Sequence, residues 1–171
     1  MPPDNISFRL ATEADRSALG ILLHETNQHY WGALNGAETL SRNAADEIVS
    51  GRSGCQAVLA CVDDAACGFA TFTVLHPALN ASGTFIMKDL FVSKQARGLG
   101  LGGHFMRHLA RMAVDMGCRR FDWTAETDNP RALAFYEELG AQLVAEKVYF
   151  RFCDDDLDSF IGSDGLLKKP A

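Results

Sequence analysis

Four glycines lie within six residues, at positions 98, 100, 102 and 103, between an apolar stretch and a helical pattern. Glycine lets the backbone approach a ligand closely and point several free N–H groups in one direction. The start of a helix adds unpaired N–H groups and a partial positive charge. The combination predicts a phosphate-binding turn in which the main chain from Arg97 to Gly102 holds a pyrophosphate, with the Arg97 side chain in reach of a phosphate.

Two general phosphate-binding patterns and a ligand-free turn compete for these glycines. A P-loop requires Lys-Ser or Lys-Thr after the glycines, and neither follows them. The spacing from Gly98 to Gly103 matches the dinucleotide pattern Gly-x-Gly-x-x-Gly, and Asp122 lies where that pattern has an acidic residue. A tight strand-to-helix turn without a ligand would also use glycines. The glycine spacing alone does not decide between the dinucleotide pattern and the ligand-free turn.

The residues that flank the glycines indicate a family. Gln95-Ala96-Arg97-Gly98-Leu99-Gly100 fits Gln/Arg-x-x-Gly-x-Gly/Ala, and the later stretch 129–141 fits Asn-x-x-Ala-x-x-Phe-Tyr-x-x-x-Gly-Phe/Ala. The two motifs in this order resemble the signatures of the GNAT superfamily of N-acetyltransferases. Residues 88–92 together with 129–140 look most similar to the polyamine (spermidine/spermine-type) acetyltransferases. The resemblance extends from about Thr84 to Val144.

The resemblance implies a fold, an acetyl donor and a set of contacts. The fold would be the α+β acyl-CoA N-acyltransferase fold, and the donor would be acetyl-CoA. Tyr136 would protonate the departing thiolate, so no covalent enzyme intermediate is needed. The main chain of three strand residues would pair with the pantetheine arm, between two splayed parallel strands. The implied donor-binding residues are Leu90, Phe91, Val92, Gln95, Arg97, Gly98, Leu99, Gly100, Leu101, Gly102, Asn129, Ala132 and Phe135.

Asp89 is the predicted catalytic base. An alkylamine has a pKa near ~10.4, so the acceptor must lose a proton before it can attack. Alternation along a strand from Thr84 to Val92 places Asp89 on the face of several large apolar side chains, a setting that would raise its pKa. Glu126, on the following strand, is the reserve base. The polyamine enzymes have a glutamate directly before this aspartate, whereas this chain has Lys88, a departure that weakens the prediction of a polyamine acceptor.

The end of the first predicted helix is rich in aromatic and polar side chains. One interpretation is aromatic packing at a helix terminus, and the other is a wall of the amine site. On the second interpretation Glu25, Tyr30 and Trp31 hold a cationic amine by charge and cation–π attraction. Lys88 and Glu126 complete the predicted acceptor contacts.

Composition limits the class of protein. The 171 residues are 47% hydrophobic and 22% charged, which predicts a single soluble domain over 1–171. A net charge of −6 disfavours general nucleic-acid binding and agrees with a cationic substrate. We expect no membrane span and no secretion leader, and therefore a cytoplasmic protein with reduced cysteines. The histidines are scattered, so no metal site is expected.

The elements alternate in a way that predicts a mixed, mostly antiparallel sheet flanked by helices, in the order β-α-α-β-β-β-α-β-α-β. Thr12 and Asp15 form a predicted capping box before the first helix. An acidic, solvated tail is expected at 154–158. The predicted strands are 6–10, 56–62, 67–75, 84–92, 119–126 and 142–152, and the predicted helices run from 12 to about 29, 38–50, 98–116 and 129–140.

The leading hypothesis is therefore an acetyl-CoA-dependent N-acetyltransferase that acts on a primary amine of a small molecule, such as a polyamine or diamine. The same chemistry on an aminoglycoside, an amino acid or a protein amine is the alternative. A non-catalytic acyl-CoA sensor with the same fold is a third hypothesis, which the Phe135-Tyr136 pair and Asp89 disfavour. A homodimer is a further expectation from the family.

Overall fold

A computed structural model describes residues 5–32 and 37–162, without the side chains of Trp31 and Leu79. The chain comprises two compact units, Met1–Ala132 and Leu133–Ala171. None of the described helices is long and apolar enough to cross a membrane.

The first unit contains a five-stranded sheet in the order β1-β2-β3-β4-β5. The first three junctions are antiparallel, and β4 pairs with β5 in parallel. The predicted α+β class with a mixed, mostly antiparallel sheet is confirmed. The strands are β1 Ile6–Leu10, β2 Gln56–Val62, β3 Ala65–Leu75, β4 Gly83–Val92 and β5 Cys118–Asp122.

Helices occupy both faces of this sheet. On one face, Leu19 and Leu22 of α1 and Ala45 of α2 form a buried cluster with Leu59 of β2. On the other face, the Phe105 ring of α3 lies 4.9 Å from that of Phe8. Phe8 pairs with Ala60, the neighbour of Leu59, and successive strand residues point to opposite faces. The α-helices are α1 Arg16–Trp31, α2 Ala37–Val49, α3 Leu101–Asp115, α4 Pro130–Glu138 and α5 Asp155–Gly162.

The predicted capping box is present, at the start of the 3-10 turn Glu13–Asp15 that leads into α1. The Asp15 carboxylate accepts hydrogen bonds from the Thr12 amide at 2.9 Å and the Thr12 hydroxyl at 3.0 Å. The Arg9 guanidinium donates to both oxygens of Asp15, at 2.6 and 2.7 Å. These bonds, the one from Arg9 foremost, hold the pKa of the Asp15 carboxyl well below its usual value. The ion pair thus joins β1 to the turn that leads into α1.

A two-residue turn joins β2 to β3. Asp63 and Asp64 have φ angles of 48° and 64°. Two successive left-handed residues match the twist of the flanking strands, and aspartate tolerates that conformation better than most residues. The hairpin starts two residues earlier on β3 than the sequence pattern predicts, at Ala65.

Two further predicted boundaries and one predicted strand are wrong. α3 begins at Leu101 rather than at Gly98, because Gly98 and Gly100 have left-handed φ angles of 86° and 71°. β5 ends at Asp122, so Glu126 lies in the loop after the strand. The final predicted strand, 142–152, is absent: within the described residues no strand follows Asp122.

The prediction of a strand at 142–152 depended on its alternating apolar sequence alone. A strand also needs a neighbour for its amide and carbonyl groups, which alternation does not supply. Among the described residues, 142–152 has no ladder partner. The predicted acidic tail is instead the start of α5, where Asp155 and Asp156 suit the positive end of a helix. The observed order therefore ends β-α-α.

Candidate functional site

The pairing of the parallel strands β4 and β5 ends at the middle of β4. It runs from Gly83 opposite Cys118 to Ile86 opposite Asp122, the last residue of β5. In the described chain the carboxyl-terminal half of β4 therefore has a strand partner only on the β3 side, and its other edge is open. The open edge lies where the pantetheine arm was predicted to bind, whereas the splay of two parallel strands stays a prediction, because β5 does not extend beyond the paired residues.

The hydrogen bonds to β3 determine which groups face that edge. The Ser93 amide donates to the Cys67 carbonyl at 2.9 Å, and ladder bonds on an antiparallel strand alternate by residue. The register pairs Phe91 with Phe69, so the main chain of Phe91 faces β3. The amide and carbonyl groups of Leu90 and Val92 face the open edge. The predicted main-chain contacts are thus available at Leu90 and at the Val92 amide, while the Val92 carbonyl already accepts a bond from Arg97 and Phe91 contributes a buried ring.

The glycine-rich bend follows β4 directly. A 3-10 turn, Lys94–Ala96, leads into Gly98 and Gly100, and α3 begins at Leu101. The first amides of a helix have no acceptor within it, so those of 101–103 point out of the helix start. The Arg97 amide donates to the Lys94 carbonyl at 3.4 Å, which removes it from the predicted phosphate-binding set. Gln95 is exposed on the 3-10 turn.

The Arg97 side chain lies against the end of β4. Its Nε donates to the Val92 carbonyl at 3.2 Å, and its guanidinium carbon is 5.9 Å from the centre of the Phe91 ring. The predicted phosphate contact would use the remaining guanidinium nitrogens or require the side chain to swing away. Arg97 therefore connects the open edge of β4 to the glycine bend.

Glu25 was predicted to bind the acceptor amine, and the structure gives its carboxylate a different partner. Oε1 accepts hydrogen bonds from the Ser93 hydroxyl at 3.0 Å and from the Lys94 amide at 3.1 Å. Ser93 is buried. These bonds tie the middle of α1 to the residues between β4 and the glycine bend, so Glu25 supports the donor side of the site.

Asp89 lies in a more polar setting than predicted. The buried Thr71 hydroxyl donates to Asp89 Oδ2 at 2.6 Å and accepts from the Asp89 amide at 3.1 Å. Lys88 Nζ is 3.3 Å from both carboxylate oxygens. The expectation of large apolar neighbours is wrong at these contacts: Thr71 is the partner of Asp89 on β3, and the pairing of β4 with β3 skips one residue at Lys88. This β-bulge interrupts the alternation on which the expectation depended.

Cys55 is a further neighbour of this cluster that the sequence pattern did not indicate. Burial raises the pKa of its thiol, and the Asp89 carboxylate adds to the shift. Thr71 and Cys55 belong to no motif, and their proximity to Asp89 follows only from the register of three strands. A threonine opposite the strand that carries Asp89 is the one signal that could have identified Thr71.

The remaining residues that were predicted to contact the acceptor are Tyr30, Trp31 and Glu126. Tyr30 is 57% exposed, with its ring centre 5.1 Å from that of His29. The Trp31 side chain lies outside the described residues. Glu126 is exposed, and its carbonyl accepts the Asn129 amide at 3.1 Å.

Asn129 is the predicted cap of α4. Its Oδ1 accepts the Ala132 amide at 3.1 Å, while Pro130 occupies the first helical position. This bond leaves the Asn129 Nδ2 group as the donor that could contact the pantetheine arm.

Within the second unit, Phe135 and Tyr136 lie on α4 with ring centres 5.1 Å apart. No group of three metal-ligating side chains occurs among the residues that the structure describes.

Comparison with known proteins agrees with this geometry. The model of a family described as "Acetyltransferase (GNAT) family" matches residues 20–141. An integron cassette protein from the mobile metagenome of V. cholerae superposes with a TM-score of 0.86 at 36% identity, covering 93% of this chain and 99% of that one. An aminoglycoside N-acetyltransferase solved with CoA superposes at 0.69 with 17% identity, covering 86% and 95%, a likeness of fold alone.

Two relatives of known activity match a shorter segment. The L-ornithine N5-acetyltransferase of Arabidopsis thaliana is 32% identical over 92 residues, which is 54% of this chain and 40% of that protein. A thialysine N-epsilon-acetyltransferase of Bos taurus is 33% identical over 60 residues, 35% of each chain. The chain thus aligns with well under half of the length of either relative.

Proposed function

Because the chain belongs to the acetyltransferase (GNAT) family, we propose that it transfers the acetyl group of acetyl-CoA directly to a primary amine of a small molecule. Acetyl-CoA is the donor that this family uses. The observation that carries the proposal is the open edge of β4, which ends at a glycine bend and a helix start. β4 can therefore hold the pantetheine arm of the donor, and the bend directly after it can hold the phosphates.

The described residues fit the donor by chemistry. The main-chain groups of Leu90 and Val92 match the amides of a pantetheine arm, as an added strand would. The amides at 98–103 and the positive end of α3 match a pyrophosphate. Adding a Cβ at Gly98 or Gly100 would meet no atom within 4 Å, so these glycines are required by their left-handed φ angles rather than by crowding.

Asp89 is the proposed base. It precedes Leu90, the first residue whose main chain faces the open edge, and we assign its carboxylate the first proton of the incoming ammonium. The ammonium gives up that proton, directly or through water, and the freed lone pair forms the C–N bond as the C–S bond breaks. The nitrogen then loses its second proton to water, which leaves the neutral amide. Thr71 holds the carboxylate in one orientation by its 2.6 Å bond. Glu126 remains the reserve base.

Tyr136 is the proposed acid. Sulfur leaves as a thiolate, and the phenolic O–H of Tyr136 supplies the proton that converts it to the free thiol. This role rests on the match of 129–141 to the family motif. A cysteine nucleophile is not needed, since an oriented amine can attack the thioester directly.

The proposed acceptor is a small diamine or diamino acid. The relatives named for ornithine and thialysine support an amine on a short flexible chain. An aminoglycoside is the weaker candidate, because that likeness is one of fold at 17% identity.

The test is release of free thiol from acetyl-CoA, followed with a thiol reagent across a panel of diamines, diamino acids and aminoglycosides. We expect thiol release that depends on the amine, with the acetylated amine identified by mass. Tyr136→Phe should lower kcat at unchanged acetyl-CoA affinity, and Tyr149→Phe is the matched control. Cofactor binding without thiol release for every amine would favour a non-catalytic sensor and contradict the proposal.

A further inference from the structure

The residue at the β4 bulge has a position that the family motif does not explain. Thr71 pairs with Asp89 and Phe72 with Met87, so Lys88 is the extra residue between them. Bulges occur near active sites, where they re-aim a side chain. The Lys88 side chain is 79% exposed, and its ammonium lies 3.3 Å from each oxygen of the proposed base. An exposed positive charge therefore lies beside the carboxylate of the proposed base.

This charge acts differently on two kinds of acceptor. A diamine approaches with a second ammonium, and Lys88 repels it while competing for the Asp89 carboxylate. A diamino acid approaches with a carboxylate near its second ammonium, and that carboxylate can pair with Lys88. Pairing would also draw the Lys88 ammonium away from Asp89 and leave the base free for the reacting amine. Because Lys88 would repel the diamine and attract the diamino acid, it would make the protein specific for the diamino acid.

We propose that Lys88 is a specificity-determining residue that selects an acceptor carrying a carboxylate in addition to the reactive amine. The inference rests on the proposed function and narrows its substrate class from diamines in general to diamino acids. The neighbouring groups agree with it: among the side chains that the structure describes, Thr71 and Lys88 bond to Asp89 and Cys55 lies near it, and of these three Lys88 carries the positive charge. Lys88 is thus the group among them that can bind an anion.

The experiment compares each diamino acid with the diamine that lacks its carboxylate: ornithine with 1,4-diaminobutane, and lysine with 1,5-diaminopentane. The wild-type protein, Lys88→Met and Lys88→Glu are assayed by thiol release. Arg107→Met on the exposed face of α3 is the control for loss of a positive charge. Since the Lys88 side chain is mostly exposed, the variants should fold, which circular dichroism verifies.

We expect the wild-type protein to prefer the diamino acid in kcat/KM by about tenfold or more, the scale of one good charged contact. Lys88→Met should remove most of this preference by raising the KM for the diamino acid, and Lys88→Glu should reverse it. Arg107→Met should leave the ratio unchanged. A preference that is the same in all four proteins, or a wild-type preference for the diamine, overturns the inference alone. Absence of thiol release with every amine overturns the proposed function as well.

Discussion

The two ends of the carboxyl-terminal half of β4 are built in different ways. At the proposed donor end, the groups available for binding belong to the main chain: the open edge at Leu90 and Val92, and the amides after Gly98. At the proposed acceptor end, the groups are side chains: Asp89 is bonded to Thr71 on the neighbouring strand and to Lys88 beside it on β4. A main-chain site depends on backbone shape and a side-chain site on strand register, so mutations should affect the two ends differently.

Each end is also held by one residue remote in sequence. Thr71 of β3 fixes Asp89 with two hydrogen bonds, and Glu25 of α1 fixes Ser93 and Lys94 with two. Neither residue binds a substrate in our proposal. Both ends thus have a support that can be removed without touching the groups proposed to do the chemistry.

The largest effect should come from the acceptor end. Asp89→Asn removes the proposed base, and kcat should fall about 10²- to 10⁴-fold, the usual contribution of general base catalysis. Acetyl-CoA affinity should stay within about twofold, because the donor contacts are main-chain groups. Asp64→Asn, on the exposed hairpin turn, is the control, since asparagine also tolerates a left-handed φ. Steady-state kinetics at saturating acetyl-CoA measures the effect, and a kcat that stays near the wild-type value would exclude Asp89 as the base.

The next effect should come from the glycine bend. Gly100→Val places a β-branched residue at a φ of 71°, a strain of about 1–2 kcal/mol that should displace the amides. The KM for acetyl-CoA should rise about tenfold, the ratio that corresponds to 1.4 kcal/mol. Gly117→Val, at a φ of 73° after the other end of α3, introduces the same strain away from the bend.

Isothermal titration calorimetry with CoA separates these two glycine variants. Both should lose similar thermal stability, but only Gly100→Val should lose CoA affinity. Equal affinities in the two variants would contradict the assignment of donor binding to the bend.

Smaller effects should follow removal of the two supports. Thr71→Val keeps the shape and removes two part-buried hydrogen bonds to Asp89, so kcat should fall about tenfold, while Thr71→Ser should retain activity.

Glu25→Ala removes two hydrogen bonds on the proposed donor side, one of them to an exposed amide. The KM for acetyl-CoA should rise about fivefold, which corresponds to about 1 kcal/mol, and Glu25→Gln should restore it. The comparison fails if Glu25→Ala raises the KM for the amine instead, because Glu25 would then be the acceptor contact that the sequence predicted.

The smallest effect on activity should come from the Arg9–Asp15 pair, which lies at neither end. Asp15→Asn should lower the free energy of unfolding by about 1–3 kcal/mol at pH 7 and leave kcat unchanged. Since the pKa of Asp15 is lowered in the folded state, its contribution is complete above the ordinary value of 3.8 and is lost as pH falls below it. Urea unfolding should show a difference between wild type and variant at pH 7 that narrows at about pH 3. A difference that grows in acid would contradict this sign, and Asp115→Asn is the control.

The contrast between backbone shape and strand register also explains which features could be predicted from the sequence. The glycine bend, the capping box at Thr12 and the Asn129 cap depend on local residue types, and all three are present in the structure. The setting of Asp89 was mispredicted because a bulge at Lys88 arises from pairing with a strand 18 residues away. The hydrogen bonds of Glu25 were not predicted because its partners Ser93 and Lys94 are 68 and 69 residues distant. Features that depend on neighbouring residue types could be predicted from the sequence, whereas contacts that depend on how distant segments pair could not.

Amide chemical shifts measured by NMR during titration with CoA test the central claim most directly, namely that the main chain at the donor end of β4 binds the donor. The account predicts the largest shifts at the amides of 98–103 and of Leu90 and Val92. The amide of Phe91, which is bonded to β3, should move less than its two neighbours. Unmoved amides throughout the glycine bend, with shifts gathered elsewhere in the chain, would contradict the account.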